Sequence, residues 1–401
     1  MKLSALFGLA SGVALAAGCD GNGLTTLPHT TPTADVSFVS SALCGAGKIC
    51  TIAGTGIAGD GADELAAKDT RLYLPQDMTA GPDGRLYVVD WNNHRIRSID
   101  GGGVMHIVAG IGELGASIDD PSTERLNHPT HVAFDPMGTP GEMIIAAWHN
   151  SRVKKCDLAT SSLVDIAGTG KRGFGGNGGP ALQAILDLPV AVVFDAAGDM
   201  LIADQANQMI RKVDRATNII TTIAGVGRCA DSVNPNPCII NDGGPATKGG
   251  FHFPIGQAAS PGGRIALGRD GSIFVADTEN FRLRRVDPQG MLETFAGTGT
   301  WGFAGDGGPA KQAQLGRLAD VAVAQDGRIF IADTDNSCVR VIGTDGVITT
   351  FAGQCGARGF AGDDGPAAAA KLDRPSGVEI GPLGDVFIAD THNNRIRVVG
   401  R

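Results

Sequence analysis

Short apolar runs in a repeating pattern cover most of the chain. In six segments a β-branched run ends in Asp and is followed by Asn and then by alternating Arg and apolar residues. These segments are 88–97, 146–154, 202–211, 275–284, 331–340 and 388–397. The motif Asp, or Ala147 in its place, stands at 90, 147, 204, 277, 333 and 390, so the steps are 57, 57, 73, 56 and 57 residues. Repeats of this period indicate a propeller or a solenoid.

Each repeat predicts four short strands. An apolar stretch after Pro, a tight turn, the run that ends in Asp, an N-x-R-I-R segment and an I-x-T-x-A-G segment follow one another. The strands are apolar on both faces, which is typical of sheets covered on each side by other sheets. We therefore expect an all-β fold, a six-bladed β-propeller of four-stranded antiparallel blades.

The two ends of the repeat region are complementary. The last repeat stops at 395–401 without its I-x-T-x-A-G strand, whereas residues 48–54, KICTIAG, form such a strand without a repeat of their own. We expect this N-terminal strand to complete the last blade and close the ring, which leaves no exposed sheet edge.

The N-terminal segment predicts export. One Lys and an apolar run that is too short to span a bilayer indicate a signal peptide over residues 1–18. The sequence Ala-Ala-Gly-Cys that ends at Cys19 resembles the lipobox of bacterial lipoproteins and predicts lipidation of Cys19. A plain signal peptide with an incidental Cys19 is the alternative. Residues 19–43, rich in Thr, Ser, Pro and Gly, predict a flexible tether before a propeller of residues 44–401. The expected location is the bacterial cell envelope, in the periplasm or on the outer surface.

The other cysteines are consistent with export. Three pairs are close in sequence or lie at the same end of neighbouring strands, and each is expected to form a disulfide outside the cytoplasm. These pairs are Cys44 with Cys50, Cys229 with Cys238, and Cys338 with Cys355. Cys156 stands in a column that is otherwise Ile or Val, so we expect a buried free thiol there.

Composition and loop pattern argue against nucleic acid and nucleotide ligands. The chain has 60 Gly and a formal net charge of -9, which is turn-rich and acidic. The G-x-G-x-x-G spacing at 54–59, 168–173 and 297–302 matches a phosphate-binding loop, but it recurs between blades with no helix after it. We interpret these loops, with their GDGGPA continuation, as structural connections. Calcium binding by Asp306, Asp363 and Asp364 is the alternative.

The D-x-x-N-x-R-I-R cores, the P-x-x-V segments and the D-G turns resemble NHL repeats over nearly all of residues 44–401. The G-F-x-G-D-G-G-P-A loops are similar to the long-period NHL repeats of bacterial secreted proteins and of teneurins. The resemblance implies a propeller, but it leaves the function open. NHL propellers include protein-binding and RNA-binding platforms and an amidating lyase, and the related lactonase and virginiamycin lyase propellers are enzymes.

The charges that recur in every repeat predict structure. Asp ends the second strand in five repeats, and Arg or Lys stands seven residues later in all six. A catalytic group would not be needed six times, so we expect hydrogen-bonded ion pairs between strands or blades.

Positions that differ between blades are the candidates for function. At the start of the innermost strand the blades carry, in turn, Asp77, His131, Ala191, Arg264, Asp320 and Gly377. We expect these positions near one mouth of the central channel. Asp77, His131, Arg264 and Asp320 are the candidate catalytic residues, and Asp77, His131 and Asp320 are candidate ligands of a divalent metal. A solvated polar channel without function is the alternative, and we predict no other cofactor.

A second candidate site lies in the turns that follow the motif Asp. Trp91 and Trp148 stand one residue after the motif position in adjacent blades, and Asn92, His149 and His392 stand two residues after it. We expect an aromatic and His surface over blades 1 and 2 that binds a protein or a carbohydrate. The 73-residue step places two inserts in blade 4, where loop variation often sets specificity.

Two functions remain open. The first is an extracytoplasmic, monomeric binding propeller that is attached to the membrane through its lipid alone and takes a protein or carbohydrate partner. The second is a metal-assisted lyase or lactone hydrolase at the channel mouth. An enzyme requires at least three of the four channel side chains within bonding reach of one point, whereas a binding platform does not.

Overall fold

The computed structural model describes residues 44–114, 125–158, 162–228, 241–256 and 258–401. These residues form six antiparallel sheets, each of which is one blade of a propeller. The first long strand of every sheet contacts its counterparts in the two neighbouring sheets, so these six strands surround the central channel. The predicted signal peptide, Cys19, the tether and the Cys229–Cys238 pair lie outside the described residues. Within the described ranges, no helix is long and apolar enough to cross a membrane.

The strands are numbered in chain order. The first, β1 (Lys48–Ala53), belongs to blade 6. Blade 1 contains β2 (Leu65–Ala66), β3 (Asp77–Ala80), β4 (Leu86–Asp90), β5 (Arg95–Ile99) and β6 (Val104–Ala109). Blade 2 contains β7 (Pro129–Phe134), β8 (Glu142–Ala147), β9 (Arg152–Asp157) and β10 (Ser162–Ala167). Blade 3 contains β11 (Pro189–Phe194), β12 (Met200–Asp204), β13 (Met209–Val213) and β14 (Ile220–Ala224).

The remaining blades follow the same order from the channel to the rim. Blade 4 contains β15 (Gly244–Pro245), β16 (Ile265–Leu267), β17 (Ile273–Asp277), β18 (Arg282–Val286) and β19 (Met291–Ala296). Blade 5 contains β20 (Gly308–Pro309), β21 (Leu318–Val323), β22 (Ile329–Asp333), β23 (Cys338–Ile342) and β24 (Val347–Ala352). Blade 6 contains β25 (Gly365–Pro366), β26 (Gly377–Ile380), β27 (Val386–Asp390) and β28 (Arg395–Val399), together with β1.

Short 3-10 helices occupy two kinds of position. One set follows the second strand of a blade and comprises Trp91–Asn93, Trp148–Asn150, Gln205–Asn207, Thr278–Asn280 and Thr391–Asn393. The other set lies in the loops between blades and comprises Ala67–Asp69, Ala181–Gln183, Ala246–Lys248, Ala310–Gln312 and Ala367–Ala369. Four helices of the second set begin directly after the Pro of a Pro-Ala step in the connecting loop.

The hydrophobic core is divided into six clusters, one between each pair of neighbouring blades. Strand β4 shows how one strand serves two clusters. Its Leu86 and Val88 pack against blade 6, whereas Tyr87 and Val89 pack against blade 2. Successive side chains of a strand point to opposite faces, and both faces are covered here. This geometry accounts for the apolar residues at both parities in the sequence.

The N-terminal strand closes the ring. Strand β1 pairs with β28, with Ile49 opposite Val399 and Cys50 opposite Val398. A disulfide between Cys44 and Cys50, with Cα atoms 5.8 Å apart, joins the start of this strand to the residues just before it. The prediction that the last blade is completed by the N-terminal strand is confirmed.

The connecting loops add a strand that the sequence analysis did not expect. The two-residue strands β2, β15, β20 and β25 pair with the outer strands β6, β19, β24 and β1, respectively. Three of these short strands end in Pro, which is tolerated at a sheet edge because its missing N–H would face solvent. Within the described residues, four blades therefore have five strands, and their loops cover the outer edge of the blade that follows them.

In five blades a buried Arg links the connecting loop to its blade. In blade 5, Arg340 lies 2.5 Å from Asp306 of the loop and 3.7 Å from the motif residue Asp333, and its side chain is fully buried. Asn336 donates to Asp333 at 2.9 Å and to the loop carbonyl of Gly302 at 2.7 Å. We call this set of residues the Arg cluster. The same cluster joins Arg97 to Asp90 and Asp60, Arg211 to Asp204 and Asn177, Arg284 to Asp277 and Asp242, and Arg397 to Asp390 and Asp363.

The Arg clusters confirm the predicted structural ion pairs. They also account for Asp306 and Asp363, two of the three loop residues considered for calcium, because each carboxylate is held by a buried guanidinium. Blade 2 differs because Ala147 replaces the motif Asp. There Lys154 pairs with Asp165 of the same blade at 2.6 Å, and the Oδ1 atom of Asn150 accepts from the Asn127 backbone N–H at 2.8 Å. In blade 1 the motif Asp90 accepts the corresponding N–H.

The cysteine predictions have mixed outcomes. The predicted disulfide between Cys338 and Cys355 is present, with Cα atoms 5.0 Å apart. Cys156 is fully buried as expected, but the prediction of a free thiol is wrong because Cys156 is disulfide-bonded. Its partner lies outside the described residues, and no described cysteine is free. The predicted pairs came from proximity in sequence or from neighbouring strand ends, and neither criterion selected Cys156.

Replacing Arg340 with Ala should destabilise the propeller strongly. The substitution leaves Asp333 buried without its cation, which costs about 3–5 kcal/mol of the free energy of unfolding. Arg328, also in blade 5, pairs with exposed Asp326 at 2.8 Å and provides the control. Arg328→Ala should cost less than about 1 kcal/mol. Urea unfolding of both variants measures the difference, and equal effects would contradict the structural role of the Arg cluster.

Candidate functional site

The inner strands begin at the end of the propeller that carries the 3-10 helices after the motif Asp. Asp77, the first residue of β3, pairs with Val89, which directly precedes motif residue Asp90. We call this end of the propeller the motif face. The channel positions singled out in the sequence therefore lie at the motif-face end of the central channel.

Arg264 extends across the channel from blade 4. Its Nη1 atom donates to the carbonyl oxygens of Gln76 and Ser376 at 3.2 and 3.3 Å, and its Nη2 atom donates to that of Thr130 at 2.6 Å. These carbonyls belong to the residues that lead into the inner strands of blades 1 and 6 and to the inner strand of blade 2. One guanidinium therefore links four blades at the channel axis.

Two carboxylates bracket the same guanidinium. The Nη1 atom of Arg264 lies 3.3 Å from Asp77 Oδ1 and 3.5 Å from Asp320 Oδ2. Burial raises the pKa of Asp77 well above its ordinary value, against the attraction of Arg264, and also raises the pKa of Asp320. The Asp320 carboxylate also accepts the backbone N–H groups of Val321 and Val378 at 2.9 Å each.

His131 completes the group of predicted channel residues. Its Nε2 atom lies 3.7 Å from Asp77 Oδ2. Burial, with a smaller contribution from Arg264, lowers the pKa of His131 to about 3, so the ring is neutral at physiological pH. The structure thus brings together all four residues that the column comparison selected.

The expectation of a wet channel mouth is wrong for this end of the channel. The side chains of Asp77, Arg264 and Asp320 are only 4 %, 1 % and 9 % exposed. Because Arg264 spans the channel and binds carbonyls on three other blades, the four residues form a closed floor. The channel is open toward the opposite face of the propeller.

Glu379 is a member of this floor that the sequence analysis missed. Burial, together with the charge of Asp320, raises the pKa of Glu379 from 4.5 to about 8. Its column, two residues into the inner strand, is otherwise Thr79, Ala133, Val193, Ala266 and Ala322. Glu379 is the one acidic residue among these six positions, and this was its signal in the sequence. The sequence comparison used the first position of the inner strand, so it did not include Glu379.

A cavity of about 430 Å³ lies on the floor and fills the centre of the propeller. Asp77, His131, Asp320 and Glu379 line its closed end, and its walls include Val193, Phe194, Leu267, Val323 and Ile380. The exposed residues Gln325 and Pro382 mark its other end. The cavity is therefore polar at its base and largely apolar along its walls.

The floor residues do not fit a metal site. A divalent metal would need Asp77, His131 and Asp320 to converge on one point, but Arg264 already occupies the position between the two carboxylates. Among the described residues, no group of three His, Cys, Asp or Glu side chains is arranged to hold a metal ion. The four channel residues therefore do lie together, but the two carboxylates surround the Arg264 guanidinium rather than a metal ion.

The second candidate site lies on the motif face between blades 1 and 2. The rings of Trp91 and His128 have centroids 4.4 Å apart, and the rings of His128 and His149 have centroids 4.8 Å apart. The Asn92 side chain lies 3.3 Å from His128 Nε2. Trp91, Asn92, His128 and His149 are all half-buried. We call these four residues the aromatic patch.

His94 and His128 were not among the predicted binding residues. His94 lies against His128, with ring centroids 4.3 Å apart, and its Nδ1 atom accepts the His128 backbone N–H at 3.2 Å. Burial and the two neighbouring imidazoles lower the pKa of His128 to about 3. His94 lies two positions after the column of Asn92, and His128 lies three positions before the column of His131, directly before the Pro of its P-x-x-V segment.

Trp148 and His392 were predicted to belong to this surface, but neither is part of the aromatic patch. Trp148 is fully buried and belongs to the core between blades 3 and 4, where its Nε1 atom donates to Gln205 Oε1 at 3.0 Å. The same Gln205 oxygen accepts the backbone N–H of Gly262, in the second insert of blade 4, at 3.2 Å. The prediction of Trp148 as a surface residue is therefore wrong. His392 is exposed, but it lies on blade 6.

A family model described as "NHL repeat" matches residues 72–97, 315–342 and 372–399. Each match covers an inner strand with the Asp-to-Arg motif of blade 1, 5 or 6. The chain is an NHL-repeat β-propeller. The other three blades of the NHL propeller have the same strand order and closely similar motifs.

Human Teneurin-4 is 28% identical to the NHL propeller in an alignment of 358 residues that covers 83% of this chain and 12% of the teneurin. Mouse Teneurin-1 is 27% identical over 84% of the chain and 12% of its own length. The NHL propeller therefore spans about an eighth of the length of these relatives. The chloroplastic protein SUPPRESSOR OF QUENCHING 1 of Arabidopsis thaliana is 28% identical over 71% of the chain and 26% of its own length.

Solved structures share the fold at low sequence identity. A structural genomics protein of unknown function from Bacteroides thetaiotaomicron has a TM-score of 0.62 and 16% identity, covering 87% of this chain and 74% of its own. An auxiliary nutrient binding protein from the same species has a TM-score of 0.59 and 15% identity, covering 87% and 75%. Both structures support the propeller fold of this chain.

Replacing Glu379 with Gln tests the protonation of the channel floor. Because the pKa of Glu379 rises to about 8 on folding, the folded NHL propeller holds a proton at neutral pH that the unfolded chain releases. This stabilising contribution is full below the unfolded pKa of about 4.3 and is lost as the pH rises through 8, with a slope of up to about 1.4 kcal/mol per pH unit. The wild type should therefore lose stability relative to Glu379→Gln between about pH 5 and 8.

Urea unfolding at several pH values measures this difference. Glu64→Gln, at an exposed position, is the matched control and should follow the wild type. A constant difference between wild type and Glu379→Gln over this pH range would contradict the assignment of a proton to Glu379.

Proposed function

We propose that the chain is an exported, lipid-anchored NHL propeller that binds a protein or carbohydrate partner at the aromatic patch of its motif face. The propeller and its disulfides support an extracytoplasmic binding module. The observation that carries the proposal is the aromatic patch itself, since it places half-exposed ring faces beside polar atoms on adjacent blades.

The chemistry of the patch suits such partners. Trp91 supplies a large flat apolar surface, and the half-buried Asn92 side chain supplies hydrogen-bonding atoms beside it. The rings are held by their mutual contacts, so that little conformational entropy is lost when a partner binds. Sugar rings and protein side chains both use this combination of apolar stacking and polar contacts.

The comparison with solved structures adds support. The Bacteroides thetaiotaomicron structure with a TM-score of 0.59 is described as an auxiliary nutrient binding protein. A propeller of this shape is thus associated with binding in that protein, and we extend the association to this chain as part of the proposal.

The metal-assisted lyase or lactone hydrolase is the weaker candidate. Its channel site required a metal on Asp77, His131 and Asp320, and Arg264 lies between the two carboxylates instead. Each of the five Arg clusters is also a structural element rather than a reactive one. The channel residues therefore favour a binding role over this reaction.

Replacing Trp91 with Ala should weaken partner binding at least tenfold, or about 1.4 kcal/mol, because a central aromatic side chain of a binding surface usually carries much of its binding energy. His392→Ala is the matched control, since His392 is exposed on blade 6 outside the patch. Binding of the labelled chain to a glycan array and photo-crosslinking from position 92 cover the two partner classes. A ligand whose binding is unaffected by Trp91→Ala, or is reduced equally by both variants, would contradict the proposed site.

Replacing Cys19 with Ser should release the chain from the membrane. A lipobox cysteine that carries a diacylglyceryl group anchors the chain, and serine cannot take the thioether-linked lipid. Fractionation of expressing cells into membrane and soluble material, with mass spectrometry of the N-terminal peptide, measures the change. A wild-type chain that is soluble and unmodified at Cys19 would show that the signal peptide is a plain one.

A further inference from the structure

The base of the central cavity has more acidic than basic groups. Asp77, Asp320 and Glu379 line it together with neutral His131, and Arg264 is the cation that contacts the two Asp carboxylates. Glu379 holds its proton at neutral pH, so the Asp77 and Asp320 carboxylates face the single Arg264 cation, and the formal charge of this group is negative when both are ionised. An anionic ligand is therefore disfavoured at the base of the cavity, whereas a cationic one is attracted.

One carboxylate oxygen at this base lacks a hydrogen-bond donor. Arg264 approaches Asp77 on Oδ1. The Asp77 side chain is only 4 % exposed, and its Oδ2 atom is buried and has no hydrogen-bond partner. The Nδ1 atom of His131 is also buried without a partner. We place the ring proton on Nε2, which faces Asp77 Oδ2 at 3.7 Å, so that Nδ1 is an acceptor. Buried polar atoms of this kind are costly unless something donates to them.

The cavity walls set a second requirement. Val193, Phe194, Leu267, Val323 and Ile380 line the space between the polar base and the exposed end. They are partly exposed because they face the cavity, and apolar side chains in that position favour an apolar ligand body. The volume of about 430 Å³ is within the range of small-molecule sites in proteins.

We propose that the central channel binds a small organic ammonium ion, whose N–H groups donate to Asp77 and its neighbours at the base while its apolar body packs along the walls. A primary ammonium group carries three donors and one positive charge, which matches a base of acceptors and carboxyls. A bare divalent metal ion does not match, because no described group of three ligands converges there. This site is separate from the aromatic patch and opens on the other face.

Isothermal titration calorimetry on the purified full chain tests the proposal. The probe is 2-phenylethylammonium, and 3-phenylpropan-1-ol and 3-phenylpropanoate are neutral and anionic counterparts of similar shape. We expect the ammonium ion to bind at least tenfold more tightly than either counterpart. Equal affinities, a preference for the anion, or no binding of any probe at millimolar concentration would overturn the proposal.

Two variants locate the binding. Asp77→Asn removes the charge of the carboxylate with the free oxygen, and Leu267→Trp fills the cavity without changing its base; each should weaken binding of the ammonium ion at least tenfold. Because Asp77 also contacts Arg264, thermal unfolding must show that its variant is folded, and Leu267→Trp gives an independent reading. Binding that both variants leave unchanged would place the probe elsewhere and refute the site.

Two controls distinguish the channel site from the aromatic patch and from a metal site. Trp91→Ala should leave ammonium binding unchanged, so that failure of the motif-face function and failure of the channel site are distinguishable. Calcium, magnesium and zinc ions are added in separate titrations. Tight binding of one of these metals that depends on Asp77 and displaces the ammonium ion would show a metal site in place of the proposed one.

Discussion

The structure depends on the burial of a guanidinium group in five of its six blades. Each motif Arg has a fully buried side chain, as in Arg340, and such a charge is tolerated only when paired and hydrogen-bonded. The motif Asp supplies one partner, and the connecting loop supplies the other. The motif Asn fixes both, because it donates to the Asp and to a loop carbonyl. One interaction therefore sets the turn after the second strand and the path of the loop that arrives from the preceding blade.

Blade 2 shows what the Arg cluster requires. When Ala147 replaces the motif Asp, the cation is the smaller Lys154, and its partner Asp165 comes from the outer strand of the same blade. Asn150 takes over the backbone N–H that Asp accepts in other blades. The aromatic patch lies beside this exception. The blade that is released from the common cluster is thus the one that contributes His128 and His149 to a candidate binding surface.

The parts of the structure that follow from local pattern could be predicted from sequence. Strand positions, ring closure and the paired charges repeat with the motif, so each blade provides evidence for the others. The meeting of Asp77, Arg264 and Asp320 was also predictable, because inner strands of a propeller start at one end of the channel. The burial of Trp148, the closed floor and the disulfide of Cys156 were not. Each depends on where a long side chain or a distant segment packs, and a single sequence column does not contain that information.

Arg264 also separates the two candidate sites. It closes the channel at the motif face, so that the cavity opens on the opposite side from the aromatic patch. The two sites share one short segment, which runs from His128 in the patch to His131 at the cavity base. Between them, Thr130 is fully buried; its carbonyl accepts from Arg264 at 2.6 Å, and its hydroxyl donates to the Val190 carbonyl at 2.9 Å. The backbone between the patch and the cavity base is therefore tied to the channel floor on one side and to blade 3 on the other. The same guanidinium that closes the channel also fixes the segment that the two candidate sites share.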